Sequence, residues 1–218
     1  MEPAILDTLA SDRGMGPLIL WALLSVLGGS ALYGAVFGLW RSPLQAALSA
    51  VKLPLVIVSV TAVSGLLNSM LAHVLGAGLS ARQVWTCILL SLAVSSILLG
   101  ALSPVALLFV VQAAPPDGPD SLAAYRLLLP AHTAVIGICG IAGNVRAYRL
   151  LVRMTCSAAV AGRVLLAWIA VSGLAGCELS WFFSPFLCRP GRAVSFFNPD
   201  AFNGNFFEYL WRTVTGAL

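Results

Sequence analysis

The chain has 218 residues, of which 60% are hydrophobic and only 9% are charged, with a formal net charge of +4 at neutral pH. Ordinary globular domains carry about 25% charged residues, so a water-soluble fold this poor in charge could not cover its own surface. Together with a mean hydropathy of +0.96, this composition excludes a sizeable water-soluble domain and predicts the lipid bilayer as the main partner.

The apolar residues divide into five stretches, each long enough to cross a bilayer, which takes about 20 residues of helix. Charged residues and turn signals separate them, most clearly in the loop at 114–120, which is rich in proline and aspartate. The predicted spans cover residues 17–40, 53–75, 84–113, 127–151 and 163–183. The sequence therefore predicts an all-α, polytopic transmembrane helical bundle over residues 16–183, after a polar N-terminal segment at 1–15.

Two short segments beside the spans carry local signals. Residues 43–52 place four apolar side chains on one helical face, which predicts a short interfacial helix leading into the second span. These side chains are Leu44, Ala47, Leu48 and Val51. Ser80 and Gln83 have the spacing of a capping box, in which the serine caps the third span and the glutamine reaches back.

Basic residues in the loops predict the orientation, because cytoplasmic loops carry an excess of Lys and Arg. The two sides tie, so the dense cluster of Arg146, Arg149 and Arg153 decides, with the acidic loop at 114–120 opposite. This predicts a cytoplasmic N-terminus and an outside C-terminus. The cluster is either an orientation signal alone or also a site for anionic lipid headgroups. Only one of the twelve basic residues is a lysine, which indicates a bacterial genome and hence a bacterial inner membrane.

Residues 184–218 form an aromatic-rich C-terminal tail. Eight of the ten phenylalanines fall between residues 182 and 207. Phe202, Phe206 and Tyr209 lie at i, i+4 and i+7, which indicates an amphipathic helix on the membrane surface. The tail is therefore predicted to be interfacial or re-entrant.

Glu178 is the one acidic residue within an otherwise apolar span. An ionisable group in a membrane needs a partner, a proton or water, so Glu178 is a candidate for a permeation or proton-coupling role. The structural alternative is an ion pair with Lys52 or Arg41, which approach from the same side.

Three further intramembrane polar candidates lie on the second span: Asn68, Ser69 and His73. They either line a polar path together with Glu178 or hydrogen-bond a neighbouring helix, which is the commoner role of such residues in membrane bundles.

Glycine and serine spacing predicts close helix packing. Ser30, Gly34 and Gly38 form a ladder of small residues on the first span, which allows another backbone to approach closely, within one chain or between copies. Gly137, Gly140 and Gly143 recur at three-residue intervals on the fourth span and indicate the same kind of packing.

Catalytic chemistry finds little support in the sequence. His73 and His132 lie in different spans, and the HExxH, GxSxG and Walker A motifs are absent. The five cysteines include no CxxC pair. No enzyme activity, metal site or cofactor is predicted, and no basic run interleaved with aromatics indicates a nucleic-acid partner.

The polar N-terminus, five spans and outward C-terminus resemble the Yip family, small five-span proteins of vesicle-trafficking membranes with related bacterial members. The tripeptide LYG at 32–34 is a fragment of that family's signature. The segment at 176–191, with NFFE at 205–208, is similar to uncharacterised bacterial membrane proteins, in which we expect an amide at the position of Glu178. This resemblance implies the topology and a membrane adaptor or sensor that acts through its lipid surroundings.

Three functions follow as hypotheses. The first is a non-enzymatic membrane component that assembles with itself or with a membrane-protein partner. The second is a small ion or proton channel or transporter, with Glu178 and the polar residues of the second span lining the path. The third is the Yip-like adaptor or sensor. A channel or transporter requires polar side chains from several spans to converge on one axis, so the arrangement of these side chains separates the hypotheses.

Overall fold

A computed structural model describes residues 8–9, 14–208 and 211. Its five long helices are α1 (Met15–Leu39), α2 (Pro43–Val74), α3 (Ala81–Gln112), α4 (Ser121–Thr155) and α5 (Ala158–Phe183). Each helix is long and apolar enough to cross a membrane. The prediction of an all-α bundle with five spans is confirmed, and the protein is a multi-pass helical membrane protein. Most of the predicted polar segment at 1–15 lies outside the described residues.

The outer surface of the bundle is apolar, as lipid-facing helices require. Many large hydrophobic side chains are more than half exposed, including Leu20, Trp21, Leu66, Val111, Leu127 and Leu166. In water, an apolar surface of this extent would cause aggregation. In a bilayer, the acyl chains solvate it.

The helices pack as a ring of four with a fifth helix against it. Contacts join α2 to α5, α5 to α4, α4 to α3 and α3 to α2, so these four helices surround a common interior. Helix α1 packs along α2 and α3. The ring places side chains from four different spans around one space.

Glycines on α1 allow its backbone to approach α2 closely. A Cβ atom added at Gly34 would collide with the carbonyl group of Ser49, and one added at Gly38 would collide with that of Gln45. Ser30 is buried on the same helix and donates its hydroxyl hydrogen to its own helix backbone. The small-residue ladder of α1 therefore faces another helix of the same chain at Gly34 and Gly38.

The prediction of a separate interfacial helix at residues 43–52 is wrong, because α2 runs without a break from Pro43 to Val74. The apolar face of this segment points outward, with Leu44 60% and Val51 50% exposed. The polar side chains on the opposite face are fully buried: Gln45, Ser49 and Lys52. The segment is amphipathic as predicted, but it presents its polar face to the protein and its apolar face to the outside.

The structure shows the predicted capping interactions at the start of α3. The hydroxyl of Ser80 accepts a hydrogen bond from the backbone N–H of Gln83 at 3.2 Å. The side-chain oxygen of Gln83 accepts one from the backbone N–H of Ser80 at 2.8 Å. The predicted capping box is confirmed.

The tail folds back against the bundle at the end where α1 stops and α2 begins. Leu187 is buried, and the Phe186 ring stacks parallel to the ring of Phe37 on α1, with centroids 6.4 Å apart. Further out, an aromatic cluster joins the end of α5 to the tail: Phe182, Phe183, Phe196 and Phe197. Of the predicted surface helix, residues 206–208 are helical, but Phe202 lies in a turn before them, so the prediction is wrong there; Tyr209 lies outside the described residues.

Candidate functional site

Lys52 lies fully buried on α2 and holds the tail through its ammonium group. Its Nζ donates hydrogen bonds to the backbone carbonyls of Pro185 at 2.8 Å and Ser195 at 2.7 Å. The same nitrogen lies 5.5 Å from the centroid of the Phe196 ring, within the range of a cation–π contact. One side chain of α2 therefore joins two separate turns of the tail.

Gln45 and Ser49 extend this contact along the same helical face. The Nε2 of Gln45 donates to the carbonyls of Pro185 at 2.9 Å and Phe186 at 2.8 Å. The hydroxyl of Ser49 donates to the carbonyl of Phe186 at 2.6 Å. We call Gln45, Ser49 and Lys52 the tail anchor. It supplies hydrogen-bond donors to irregular backbone, which membrane proteins require where water is excluded.

The tail anchor replaces the ion pair predicted for Glu178. Lys52 points at the tail carbonyls, and Arg41 forms an ion pair with Asp117 at 3.4 Å. Glu178 is half-buried near the end of α5, where its carboxylate accepts a hydrogen bond from the backbone N–H of Phe206 at 3.4 Å. Both cations therefore have partners other than Glu178, because tail carbonyls and a loop carboxylate lie closer to them.

The polar candidates of the second span do not converge with Glu178. Asn68 is buried and donates from Nδ2 to the hydroxyl of Ser172 at 3.1 Å. Ser69 is buried and donates to the carbonyl of Gly65 on its own helix at 2.8 Å. His73 is exposed in the last turn of α2. Of the three candidates, Asn68 is therefore the one whose side chain links α2 to a neighbouring span.

A cavity of about 290 Å³ is lined by α2, α3, α4 and α5 and is partly open to the outside of the bundle, where Ile169 and Gly173 are exposed. Each of the four helices contributes polar side chains to its lining: Thr61, Ser64, Ser91, Asn144, Trp168 and Ser172. We call this cavity the polar chamber. Its volume leaves room for several water molecules or one small solute.

Hydrogen bonds between α2 and α5 form one wall of the polar chamber. The hydroxyl of Ser172 lies 3.2 Å from that of Ser64, and the indole N–H of Trp168 donates to the backbone carbonyl of Asn68 at 3.0 Å. The side-chain oxygen of Asn68 is buried and has no hydrogen-bond partner among the described residues. This wall fixes the two helices together and leaves hydroxyl oxygens able to accept hydrogen bonds from a guest.

The polar chamber lies in the middle part of the spans, away from their ends. At a rise of 1.5 Å per residue, Ser91 is about 15 Å from the start of α3 and Asn144 is about 17 Å from the end of α4. The hydrocarbon core is about 30 Å thick. Glu178 lies six residues beyond Ser172, which is about 9 Å further along α5 and about 120° around it. The carboxylate is therefore remote from the chamber wall.

A separate buried contact joins α1 and α4. The hydroxyl of Tyr33 lies 2.9 Å from Nδ1 of His132, and the ring of Phe37 stacks on the imidazole with centroids 4.6 Å apart. His132 and Tyr33 are both buried. This contact fixes the position of α1 beside α4, and apart from the presence of a histidine in a span no sequence pattern predicts it.

The arginine cluster lies in the last turns of α4. Arg149 and Arg153 are exposed there, and Arg146 is half-buried. Both exposed side chains lie at the end of the bundle where α3 begins. Their position suits the predicted contact with lipid headgroups.

Sequence reasoning missed most of the chamber and the anchor. Gln45, Ser49 and Lys52 lie at i, i+4 and i+7, a spacing that a search for buried polar stripes would find. Ser64 and Asn68 are also four residues apart, which places them on one helical face. Ser91 with Ser95, and Trp168 with Ser172, share this four-residue spacing, but serine and tryptophan are common in spans, so the spacing does not single them out.

No family model matches the chain, and no curated protein or solved structure matches it either. Among the described residues, no group of three or more His, Cys, Asp or Glu side chains could hold a metal ion. The tail anchor and the polar chamber are thus the two arrangements from which a function can be argued.

Replacing Lys52 tests the tail anchor. We expect Lys52→Met to leave the carbonyls of Pro185 and Ser195 without their donor, so that the tail detaches more often. Trypsin cleavage after the exposed Arg192 in detergent should then become at least about tenfold faster, because proteolysis follows local opening. The fragment that begins at Ala193, followed by mass spectrometry, reports the rate.

The matched control removes a different cation at the same end of the bundle. Arg126 is exposed near the start of α4, so Arg126→Met should leave cleavage after Arg192 at the parent rate. Equal cleavage rates in the parent protein and in Lys52→Met would show that Lys52 does not hold the tail.

Proposed function

We propose that the protein is a non-enzymatic membrane protein that admits a small uncharged polar solute or water to the polar chamber, as a small transporter or channel. The observation that supports this proposal is the convergence of polar side chains from four spans on one cavity in the middle part of those spans. Transporters commonly bind their substrates near the bilayer midplane. This proposal keeps the channel or transporter hypothesis from the sequence, but its site is the polar chamber and does not include Glu178.

The chemistry of the lining favours a neutral guest. Among the described residues that line the polar chamber, the polar groups are hydroxyls, one carboxamide and one indole N–H, and none is ionisable. The hydroxyl hydrogens and the indole N–H of the lining are bound within the protein, so the lining offers mainly acceptor oxygens, which suits water or a small solute that donates hydrogen bonds. A permeating ion would require rings of carbonyl oxygens or charged side chains.

Filling the polar chamber should abolish permeation. Gly173 lines it, and a Cβ atom added there would meet nothing within 4 Å, so Gly173→Leu adds volume without a backbone clash. We expect the parent protein in liposomes to raise the rate of glycerol- or water-driven volume change, measured by stopped-flow light scattering. Gly173→Leu should return this rate to that of protein-free vesicles.

Two controls separate the polar chamber from its surroundings. Gly162 lies on the same helix, also has open space at its Cβ position and does not line the chamber, so Gly162→Leu should keep the parent rate. Glu178→Gln should keep it as well. A parent protein that leaves vesicle permeability unchanged, or a Gly173→Leu variant as active as the parent, would refute the proposal.

A second candidate function is assembly with further copies or with a membrane-protein partner. The observation that favours it is the low coverage of α5, whose most apolar 18-residue window is 17% buried, against 33% for α1. On α4, a Cβ atom at Gly137 or Gly140 would meet nothing within 4 Å, so another helix could approach closely there. We propose that the outer faces of α4 and α5 form this contact.

Light scattering of the purified protein in detergent tests assembly. We expect a protein mass that is a multiple of 22.8 kDa, and a shift to the monomer mass in Gly140→Leu, because the added side chain separates the helices. Gly28→Leu on α1, where space is also open, serves as the control and should keep the parent mass. A parent protein with the mass of a monomer would contradict the proposed self-assembly.

We also propose a bacterial inner membrane with the N-terminus in the cytoplasm and the C-terminus outside. The numbers of basic residues on the two sides are equal, so they do not decide the orientation. The exposure and contacts of the described cations support it instead. On the tail side, Lys52 is buried by backbone carbonyls and Arg41 is paired with Asp117. Three arginines on that side remain exposed: Arg126, Arg189 and Arg192. On the opposite side, four described arginines are exposed: Arg82, Arg149, Arg153 and Arg163. The exposed positive charge of the described residues therefore favours the proposed cytoplasmic side by one arginine.

Cysteine labelling tests the orientation. Cys156 is exposed between α4 and α5, on the proposed cytoplasmic side. A membrane-impermeant maleimide should label it in permeabilised cells and leave it unlabelled in intact spheroplasts. In a Cys156→Ser background, Pro119→Cys in the opposite loop should show the reverse dependence, with labelling in intact spheroplasts. Labelling of Cys156 in intact spheroplasts would contradict this orientation and place the N-terminus outside.

A further inference from the structure

The serine hydroxyl hydrogens of the polar chamber are bound within the protein. Ser91 donates to the backbone carbonyl of Ile88 at 2.8 Å, and Ser64 donates to that of Val60 at 2.7 Å. Ser172 donates to the hydroxyl of Ser64 at 3.2 Å. A hydroxyl oxygen has two lone pairs that accept hydrogen bonds. Among the described residues, Ser91 therefore keeps both lone pairs for a guest, and Ser64 keeps one.

Asn144 supplies the side-chain donor that remains available in the lining. Its Nδ2 donates to the backbone carbonyl of Gly140 on its own helix at 3.0 Å. The second hydrogen of Nδ2 and the oxygen Oδ1 have no partner among the described residues. The indole N–H of Trp168 is already bound to the backbone carbonyl of Asn68 at 3.0 Å. The chamber therefore offers several acceptor oxygens and one N–H group, which belongs to the carboxamide of Asn144.

This unequal set of groups favours a guest with many donors and few acceptors. A hydroxyl group brings two lone pairs for each hydrogen, so an alcohol in the chamber would leave acceptors without donors, which costs free energy. A small amide such as urea brings several N–H groups and a single carbonyl oxygen. That carbonyl matches the N–H of Asn144, and the N–H groups match the free oxygens. A cation with the same donors would meet no opposite charge in the lining.

We propose that the polar chamber selects a small neutral amide of the urea class, which contacts the carboxamide of Asn144 and the hydroxyl oxygen of Ser91. This inference rests on the proposed function and names its substrate class. The helices that carry the two residues touch at this level, because a Cβ atom added at Gly143 would lie 2.6 Å from the backbone oxygen of Ser91. This close packing fixes the separation between the two side chains.

Solute selectivity in liposomes tests the substrate class. Vesicles that contain the parent protein are mixed with urea, glycerol or trimethylamine N-oxide, and the volume change is followed by stopped-flow light scattering. The rate of protein-free vesicles is subtracted. We expect urea to enter at least about tenfold faster than glycerol, which corresponds to about one unsatisfied polar group. Trimethylamine N-oxide accepts hydrogen bonds and donates none, so it should enter no faster than in protein-free vesicles.

Two variants test the residues that contact the amide. Asn144→Leu removes the carboxamide at nearly constant volume, and the ratio of the urea rate to the water rate should fall at least about tenfold. Ser91→Ala is a smaller change that removes acceptor positions, and it should lower the same ratio about threefold. Thr133→Val is the matched control, because Thr133 is exposed on α4 and does not line the chamber, so the parent ratio should persist.

The outcomes separate this inference from the proposed function. A parent protein that passes water and glycerol, but passes urea no faster than glycerol, would overturn the inference and leave the proposed function in place. Vesicles that remain impermeable to every solute and to water would refute both. A parent ratio in Ser91→Ala and in a correctly folded Asn144→Leu, or an equal loss in Thr133→Val, would also overturn the inference.

Discussion

Hydrocarbon offers no hydrogen bonds, so irregular backbone at membrane depth needs donors from the protein itself. The tail has such backbone at Pro185, Phe186 and Ser195, and the tail anchor on α2 supplies the donors. Lys52 makes the strongest demand, because a charged side chain buried within a span is costly unless it has partners. Two carbonyl oxygens and an aromatic face offset that cost, and the tail must remain docked to provide them.

The segment at 43–52 shows where the sequence ceases to predict the fold. The five apolar stretches and the loops between them determine the number of spans, because each stretch exceeds the length that a bilayer requires. Amphipathicity has the same period whether the polar face points to water or to the protein. The partner of Gln45 and Lys52 comes from about 140 residues further along the chain, and no local pattern contains that information.

The same limit applies to the candidate site. Glu178 stands out in the sequence because a carboxylate in an apolar span is rare, yet it binds a backbone N–H of the tail. Serine and threonine are common in spans, where their hydroxyls bind their own helix. Ser91 and Thr61 do so here and still face the polar chamber. The chamber exists because four helices bring their polar residues together, which is a property of packing.

The separation of charged and neutral polar groups limits what can pass through the protein. At one end, Lys52 and Arg41 are bound by the tail and a loop carboxylate; at the other, Arg149 is exposed. The polar chamber between them presents neutral hydroxyl and amide groups. An ion that entered would lose its hydration without gaining a ring of carbonyls or an opposite charge. Water and small neutral solutes exchange hydrogen bonds with water for hydrogen bonds with this lining, so the arrangement favours them over ions.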